Sequence, residues 1–222
     1  MNIIDAMKSR FTCRAFISEP VDNKTILTII EAALLAPSWG NTHPWEIFVA
    51  SGESADRLRK AYFERFSNDV PVNPDIARPL PKDWPPTLKE RYEKLRKDRS
   101  DFLGLDRNDQ KDMRELMVRN FCFFDAPSVI FLCMDRSLTP WSLFDLGAIS
   151  QSIMLIACEY GLGTAVAVQL ASYPDLVRQE LGISENLSVC IGLAIGKIDT
   201  TSPQNTFRTT RRAVNEVVRI KG

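Results

Sequence analysis

Three separated groups of residues carry most of the chemistry this sequence offers. The first is Ala36-Pro-Ser-Trp-Gly-Asn-Thr-His-Pro-Trp45, which crowds small, kinked and amide-bearing residues into a turn between an apolar helical segment and a short apolar strand. Ser38 and Asn41 offer side-chain bonds to a flat polar ligand, and the Trp39 amide and indole can line its ring or tail. The same residues also make an ordinary helix stop, with Gly40 left-handed and Asn41 closing a turn bond. The second group is Ser9–Phe16, where Arg10, Thr12 and Arg14 alternate with Phe11, Cys13 and Ala15. In an extended backbone that alternation puts two guanidinium groups and a hydroxyl on one side. Guanidinium forks match phosphate oxygens, though a half-exposed strand with surface arginines reads identically. The third group is Asn205–Arg212, in which Arg208, Arg211 and Arg212 form a compact cationic cluster or a solvated tail.

Constellations that work without a cofactor are missing. His43 is the single histidine, and there is no G-x-S-x-G for a serine hydrolase. Neither H-E-x-x-H nor a Cys/His cluster offers metal ligands. No Walker loop is present, and Gly161-Leu-Gly163 lacks a third glycine and follows a helix. A chain with no nucleophile or metal of its own points to an organic cofactor. Its 28 basic and 28 acidic side chains cancel, so no global field draws nucleic acid or an anionic membrane. The five cysteines are odd in number and scattered, the pattern of reduced thiols in the cytoplasm. Asp5 interrupts the N-terminal apolar run, and no uninterrupted stretch reaches the roughly 20 apolar residues of a membrane span.

Helices separated by a few short strands must position these groups. Asp22 or Asn23 caps a helix with Ile26, Ile29, Ile30, Ala33 and Leu34 on one face, and Pro37 stops it. Trp45–Ala50 reads as a strand, followed by an amphipathic helix over 54–67. From Val70 to Pro86 six prolines deny both helix and sheet, predicting an ordered loop or a lid, and two charged, exposed helices follow within an insertion over 68–120. Ser128–Met134 is a continuous apolar run that reads as a central strand. Ser142–Tyr160 is a helix apolar around nearly its whole circumference, which demands cover on most sides, and a subunit interface is one way to supply it. Gly161 and Gly163 end that helix, Thr164–Val168 and Leu187–Ile195 read as strands, and Pro174–Leu181 as a helix. The order is that of one α+β domain over 1–222.

Taken together, the three groups resemble the FMN-dependent nitroreductase family. Its R-x-S-x-R-x-F pattern is matched by Arg10, Thr12, Arg14 and Phe16, with threonine for serine. Its S-x-x-N-x-Q-P-W turn is matched by Ser38, Asn41, Pro44 and Trp45, with His43 at the usual glutamine. The C-terminal arginine falls on Arg211, with Ala213 in place of a proline, and the insertion resembles that of the longer bacterial members. The resemblance implies a three-layer α+β fold with a central, mostly antiparallel sheet, an obligate homodimer, and FMN at the subunit interface. It implies that Arg10, Phe11, Thr12, Arg14, Arg208 and Arg211 hold the phosphate and ribityl end. Ser38, Trp39 and Asn41 would come from the other subunit, and the backbone near Val168 and Gln169 would bond flavin N5. The flavin itself carries the chemistry, with no catalytic side chain and no metal. The implied activity is NAD(P)H-driven reduction of nitroaromatics, quinones or similar small electron-poor acceptors by ping-pong kinetics. Activated-alkene reduction, reductive dehalogenation and plain FMN storage are the rivals. Ala165-Val-Ala-Val-Gln169 departs from the family's usual N5-loop patterns.

Overall fold

The computed structural model describes residues 1–78 and 80–222. Pro79, one of the prolines read above as breaking regular structure, lies outside the described residues. The apolar run at Ser128 forms β2 (Ser128–Asp135), an inner strand of a sheet ordered β1-β2-β4-β3, with β1 at Glu46–Ser51, β3 at Leu162–Ala167 and β4 at Leu187–Lys197. All its pairings are antiparallel. β2 is apolar throughout because both of its faces are covered. Val129, Phe131 and Cys133 enter one core with Leu58, Tyr62 and Val177. Ile130, Leu132 and Met134 enter the other with Ile26, Ile29 and Ile153. Helices α3 (Glu53–Ser67), α5 (Gln110–Phe121) and α7 (Pro174–Leu181) line the first core; α2 (Asn23–Ala33) and α6 (Trp141–Glu159) line the second. The result is the expected helix–sheet–helix sandwich.

Helix α6 is long and apolar enough, by length and composition, to cross a membrane. Here Leu146, Ile149 and Ile153 bury one side of it in the core, while Trp141 and Phe144 stand 79% and 76% exposed on the other. Two sequence expectations shift. Gly161, at φ +67°, ends α6, but Gly163 lies inside β3. A Cβ on Gly163 would sit 2.9 Å from the Cys13 Cβ, so this glycine lets the arginine-bearing segment approach the sheet edge. Pro86, read as a helix breaker, opens α4 (Pro86–Leu103), where its missing N–H has no helical partner to lose.

The proline-rich stretch is stitched to the sandwich at its start. The Asn73 N–H donates to the Ser172 carbonyl at 3.0 Å, and the Tyr173 hydroxyl donates to the Val70 carbonyl at 2.8 Å. Asp75 is the anchor. Its carboxylate accepts from the Val189 N–H at 2.8 Å and from Arg136 at 2.8 Å, and pairs with the buried Arg178. Burial alone would raise the Asp75 carboxyl, but the Val189 N–H and the two guanidinium groups outweigh it and hold it below the ordinary carboxylate range.

Removing this carboxylate leaves the buried Arg178 with only the exposed Glu185, 3.5 Å away, so Asp75→Ala is expected to lose about 3–5 kcal/mol in urea unfolding. Because the folded-state value is depressed, Asp75's contribution is present above its unfolded pKa of about 3.9 and fades as pH falls through the folded value. Between pH 7 and pH 3 the wild-type chain should therefore lose more stability than the variant. Equal losses would show that Asp75 is not the acid-sensitive anchor.

Candidate functional site

The two arginine groups lie at opposite ends of the chain, and Asn205 joins them. This side chain is only 4% exposed. Its Oδ1 accepts from the Arg14 N–H at 2.7 Å, and its Nδ2 donates to the Ala15 carbonyl at 2.7 Å and the Asp199 carbonyl at 2.8 Å. The Asn205 carbonyl in turn accepts from the Arg208 guanidinium. The N-terminal segment is extended but belongs to no regular strand. Thr12 bridges to Thr164 of β3 and Phe16 to Ile198, and the Cys13 N–H donates to the Thr164 carbonyl at 2.9 Å. Cys13 and Ala15 are buried while Arg10, Thr12 and Arg14 are half-buried, as the alternation predicts, but Phe11, expected in the phase of Cys13 and Ala15, is half-buried as well and lines the cleft between the two arginine groups.

Between the two segments lies a cleft of about 360 Å³ lined by Arg10, Phe11, Thr12, Arg14, Arg208 and Arg211, with Met7 and Lys8 of the N-terminal helix α1 (Ile3–Ser9), Gln151 of α6, Phe207 and Thr209 completing it. The Arg208 guanidinium lies over the Phe11 ring, 3.9 Å from its centroid. Arg211 rests on neutral acceptors, the Thr209 hydroxyl and the carbonyls of Thr209 and Thr210. Arg212, grouped with them in the sequence, pairs instead with Glu216. Among the described residues no carboxylate reaches ion-pair distance of the four cleft arginines; the ion pairs there use other arginines, lysines and the N-terminus. Burial lowers the Arg14 pKa from the usual arginine value. A partly desolvated cationic cleft with no internal anion is suited to a phosphate or similar anionic group.

The thiols offer no rival chemistry. Burial pushes Cys13 and Cys190 up to about 11 and Cys133 up to about 12, so these sulfurs stay protonated and poorly nucleophilic.

The Ser38–His43 turn lies away from this cleft. Its left-handed residues are Gly40, Asn41 and His43, at φ +57°, +56° and +47°. The polar groups nominated from sequence are partly spent inside the turn. The Ser38 hydroxyl accepts from the His43 N–H at 3.0 Å, and Asn41 Oδ1 lies 2.9 Å from the His43 Nε2. The Trp39 N–H points at both carboxylate oxygens of the buried Asp145, at 3.3 Å each. The indole of Trp39 is 80% exposed and lines, with Pro44, Leu138, Trp141 and Asp145, an apolar cleft of about 720 Å³. Val168 and Gln169 are half-buried and open the short helical turn Val168–Ala171 directly after β3, the strand that also bridges Thr12. The structure thus brings Arg10, Phe11, Thr12, Arg14, Arg208 and Arg211 together. Trp39 lines a second cleft that shares no lining residue with the first, Ser38 and Asn41 belong to the same turn but line neither cleft, and Val168 and Gln169 also line neither.

Asn205 and Asp145 are the residues the sequence reading did not assign. Asn205→Ala strands the Arg14 N–H and removes a donor from the Ala15 carbonyl, which keeps the Asp199 N–H at 3.2 Å, and is expected to cost roughly 1–3 kcal/mol in urea unfolding. Asn205→Asp keeps the shape but loses both donated bonds, and should be comparably damaging. Losses below about 0.5 kcal/mol for both variants, the range of ordinary surface changes, would mean that the two segments are held by something else.

Residues 7–197 match the sequence model of the nitroreductase family. The chain is similar to a nitrobenzene nitroreductase of Ectopseudomonas oleovorans, 31% identical over 96% of this chain and 94% of that one. It is also similar to a 4-nitrobenzoate reductase of Pseudomonas putida, 32% identical over 91% and 88%. Among solved structures it superposes on an FMN-dependent nitroreductase from Mycobacterium smegmatis in complex with NADPH, with a TM-score of 0.93, 28% identity and full coverage of both chains. By these measures, and by the sandwich and cleft described above, the chain belongs to the nitroreductase family.

Proposed function

We propose that this chain is an FMN-dependent NAD(P)H oxidoreductase that reduces nitroaromatic and related electron-poor compounds, working as a homodimer in a reducing cytoplasm. The observation that carries the reading is the uncompensated cationic cleft closed by Asn205. FMN fits its donor set. The phosphate is a dianion near neutral pH, and four guanidinium groups and the Thr12 hydroxyl supply charge-assisted donors for its oxygens and the ribityl chain. When bound, FMN supplies the two-electron chemistry, accepting hydride from the nicotinamide and delivering it to the acceptor. The substrates named for the relatives favour nitroaromatic acceptors over alkene reduction or dehalogenation.

The residues of the chain bind, orient and exclude water. Arg10, Arg14, Arg208 and Arg211 fix the anionic end, and the Phe11 ring braces Arg208. Backbone N–H groups in the turn at Val168 and Gln169 would meet the ring, where a fixed donor stabilises charge that develops on reduction. A 360 Å³ cleft leaves much of a tricyclic ring to be covered by other surface. The Ser38–His43 turn of a second copy, with Trp39 exposed and Asn41 keeping its amide NH₂, is our candidate for that cover. Trp39, Leu138 and Trp141, all exposed, line one apolar cleft, the contiguous kind of surface that marks an interface rather than ordinary scatter. Asp145 would fix the turn by holding the Trp39 N–H.

The purified chain should take up FMN, bleach on adding NAD(P)H without oxygen, and recover colour on adding 4-nitrobenzoate. Bound FMN that nitro compounds fail to re-oxidise would leave a flavin protein with a different acceptor or none. Arg211→Ala is expected to weaken FMN binding by about 1.5–3 kcal/mol, roughly tenfold to 150-fold, because a phosphate displaces only neutral acceptors from this guanidinium. Unchanged affinity would remove Arg211 from the site.

A further inference from the structure

Helix α4 of the insertion carries a charge that nothing in the described chain neutralises. Arg99 donates to the Gln204 side-chain oxygen at 2.8 Å, and Phe102, one turn further on, packs against Phe207 with ring centroids 5.5 Å apart. Residues 204–207 are the stretch that contains Asn205 and leads into Arg208, so the C-terminal end of α4 grips the segment that builds the cleft. A third arginine joins from α5. Arg119 donates to the Arg14 carbonyl at 2.9 Å, and its Nε is buried with no hydrogen-bond partner. Burial first, and then the charges of Arg14 and Arg119, push Arg99 down to about 10. Like charges gathered in a partly desolvated place raise the energy of the empty site. Asp199 is close enough to sense Arg119, and its Oδ1 is engaged by the Thr201 hydroxyl and N–H.

We propose that Arg99 is a positioning residue of the cofactor site: with Arg119 it backs Arg14 with positive charge and holds the 204–208 segment, so that the phosphate cleft is complete only when α4 is docked. This rests on the FMN reading above. It gives the insertion a definite task, the stabilisation of the anionic end of the cofactor, beyond that of a flap over the acceptor. Binding is then reciprocal. A dianion in the cleft relieves the repulsion among Arg14, Arg99 and Arg119, and the same free energy tightens α4 against the core.

The test is FMN titration of the apo chain by flavin-fluorescence quenching over a range of KCl, for wild type, Arg99→Gln and Arg99→Lys. Arg99→Gln should weaken FMN binding roughly tenfold and flatten its salt dependence, since one unneutralised charge near a dianion has been removed. Arg99→Lys keeps the charge and should recover most of the loss, which a purely packing role would not produce. Hydrogen exchange on the wild-type chain reads the same linkage without a substitution, and α4 amides around Arg99 should gain protection when FMN binds. Wild-type affinity and salt dependence in Arg99→Gln, or α4 exchange unchanged by FMN, would overturn the proposal and leave the cofactor reading standing. A wild-type chain that takes up no FMN would overturn both.

Discussion

The hydrogen bonds of Asn205 are the constraint on which the site depends. Arg14 and Arg208 are nearly two hundred residues apart in sequence, and their charges repel. One buried side-chain amide satisfies the Arg14 N–H and the Ala15 carbonyl on one side and the Asp199 carbonyl on the other, while the main-chain carbonyl of Asn205 steadies Arg208. A carboxamide presents a donor and an acceptor in fixed geometry, so it can bond an N–H and a carbonyl of the same segment at once. Gly163 makes the arrangement possible by letting Cys13 lie against β3. The sandwich supplies the rest: β3 presents the edge on which Thr12 bridges, Ile198 just past β4 takes Phe16, and α6 supplies Gln151 to the cleft.

A chain with zero formal net charge nevertheless gathers arginines in one place without acids to match. Elsewhere the chain pairs its charges readily, as in Arg65 with Asp175 and the Asp75 network. The contrast gives the cleft its meaning. Buried or half-buried cations kept apart from available carboxylates cost stability, and an anionic ligand offsets that cost on binding. The Ser38–His43 turn shows a milder form of the same stress, with non-glycine residues in left-handed backbone held by Asp145 and by contacts within the turn.

Elements whose signal is local were legible in the sequence. The apolar run of β2, the amphipathic face of α2 and the length of α7 follow from period and composition. The alternation of Arg10, Thr12 and Arg14 foretold which side chains stay accessible. What escaped were choices made by tertiary contact. Gly163 looks like a helix stop because it follows Gly161, and only the approach of Cys13 shows its purpose. Pro86 looks like a breaker because its role at a helix start depends on where the helix begins. Asn205 stood at the head of the C-terminal motif, but nothing in its neighbours says that it bonds to residues 14 and 15. Arg99 sits in a charged helix where it resembles any solvated arginine. Arg212 belonged to the cationic cluster by spacing and leaves it by pairing with Glu216.

The central claim is that the cleft seats a phosphate, so the most direct measurement compares FMN with riboflavin, which shares the ring and ribityl chain but lacks the phosphate. Titrating the apo chain calorimetrically with each at low and high salt isolates the anionic end. The expected result is FMN binding at least a hundredfold tighter than riboflavin, consistent with about 1.5–3 kcal/mol for each charge-assisted bond, and a gap that narrows as salt rises. Equal affinities for the two ligands, insensitive to salt, would contradict the claim.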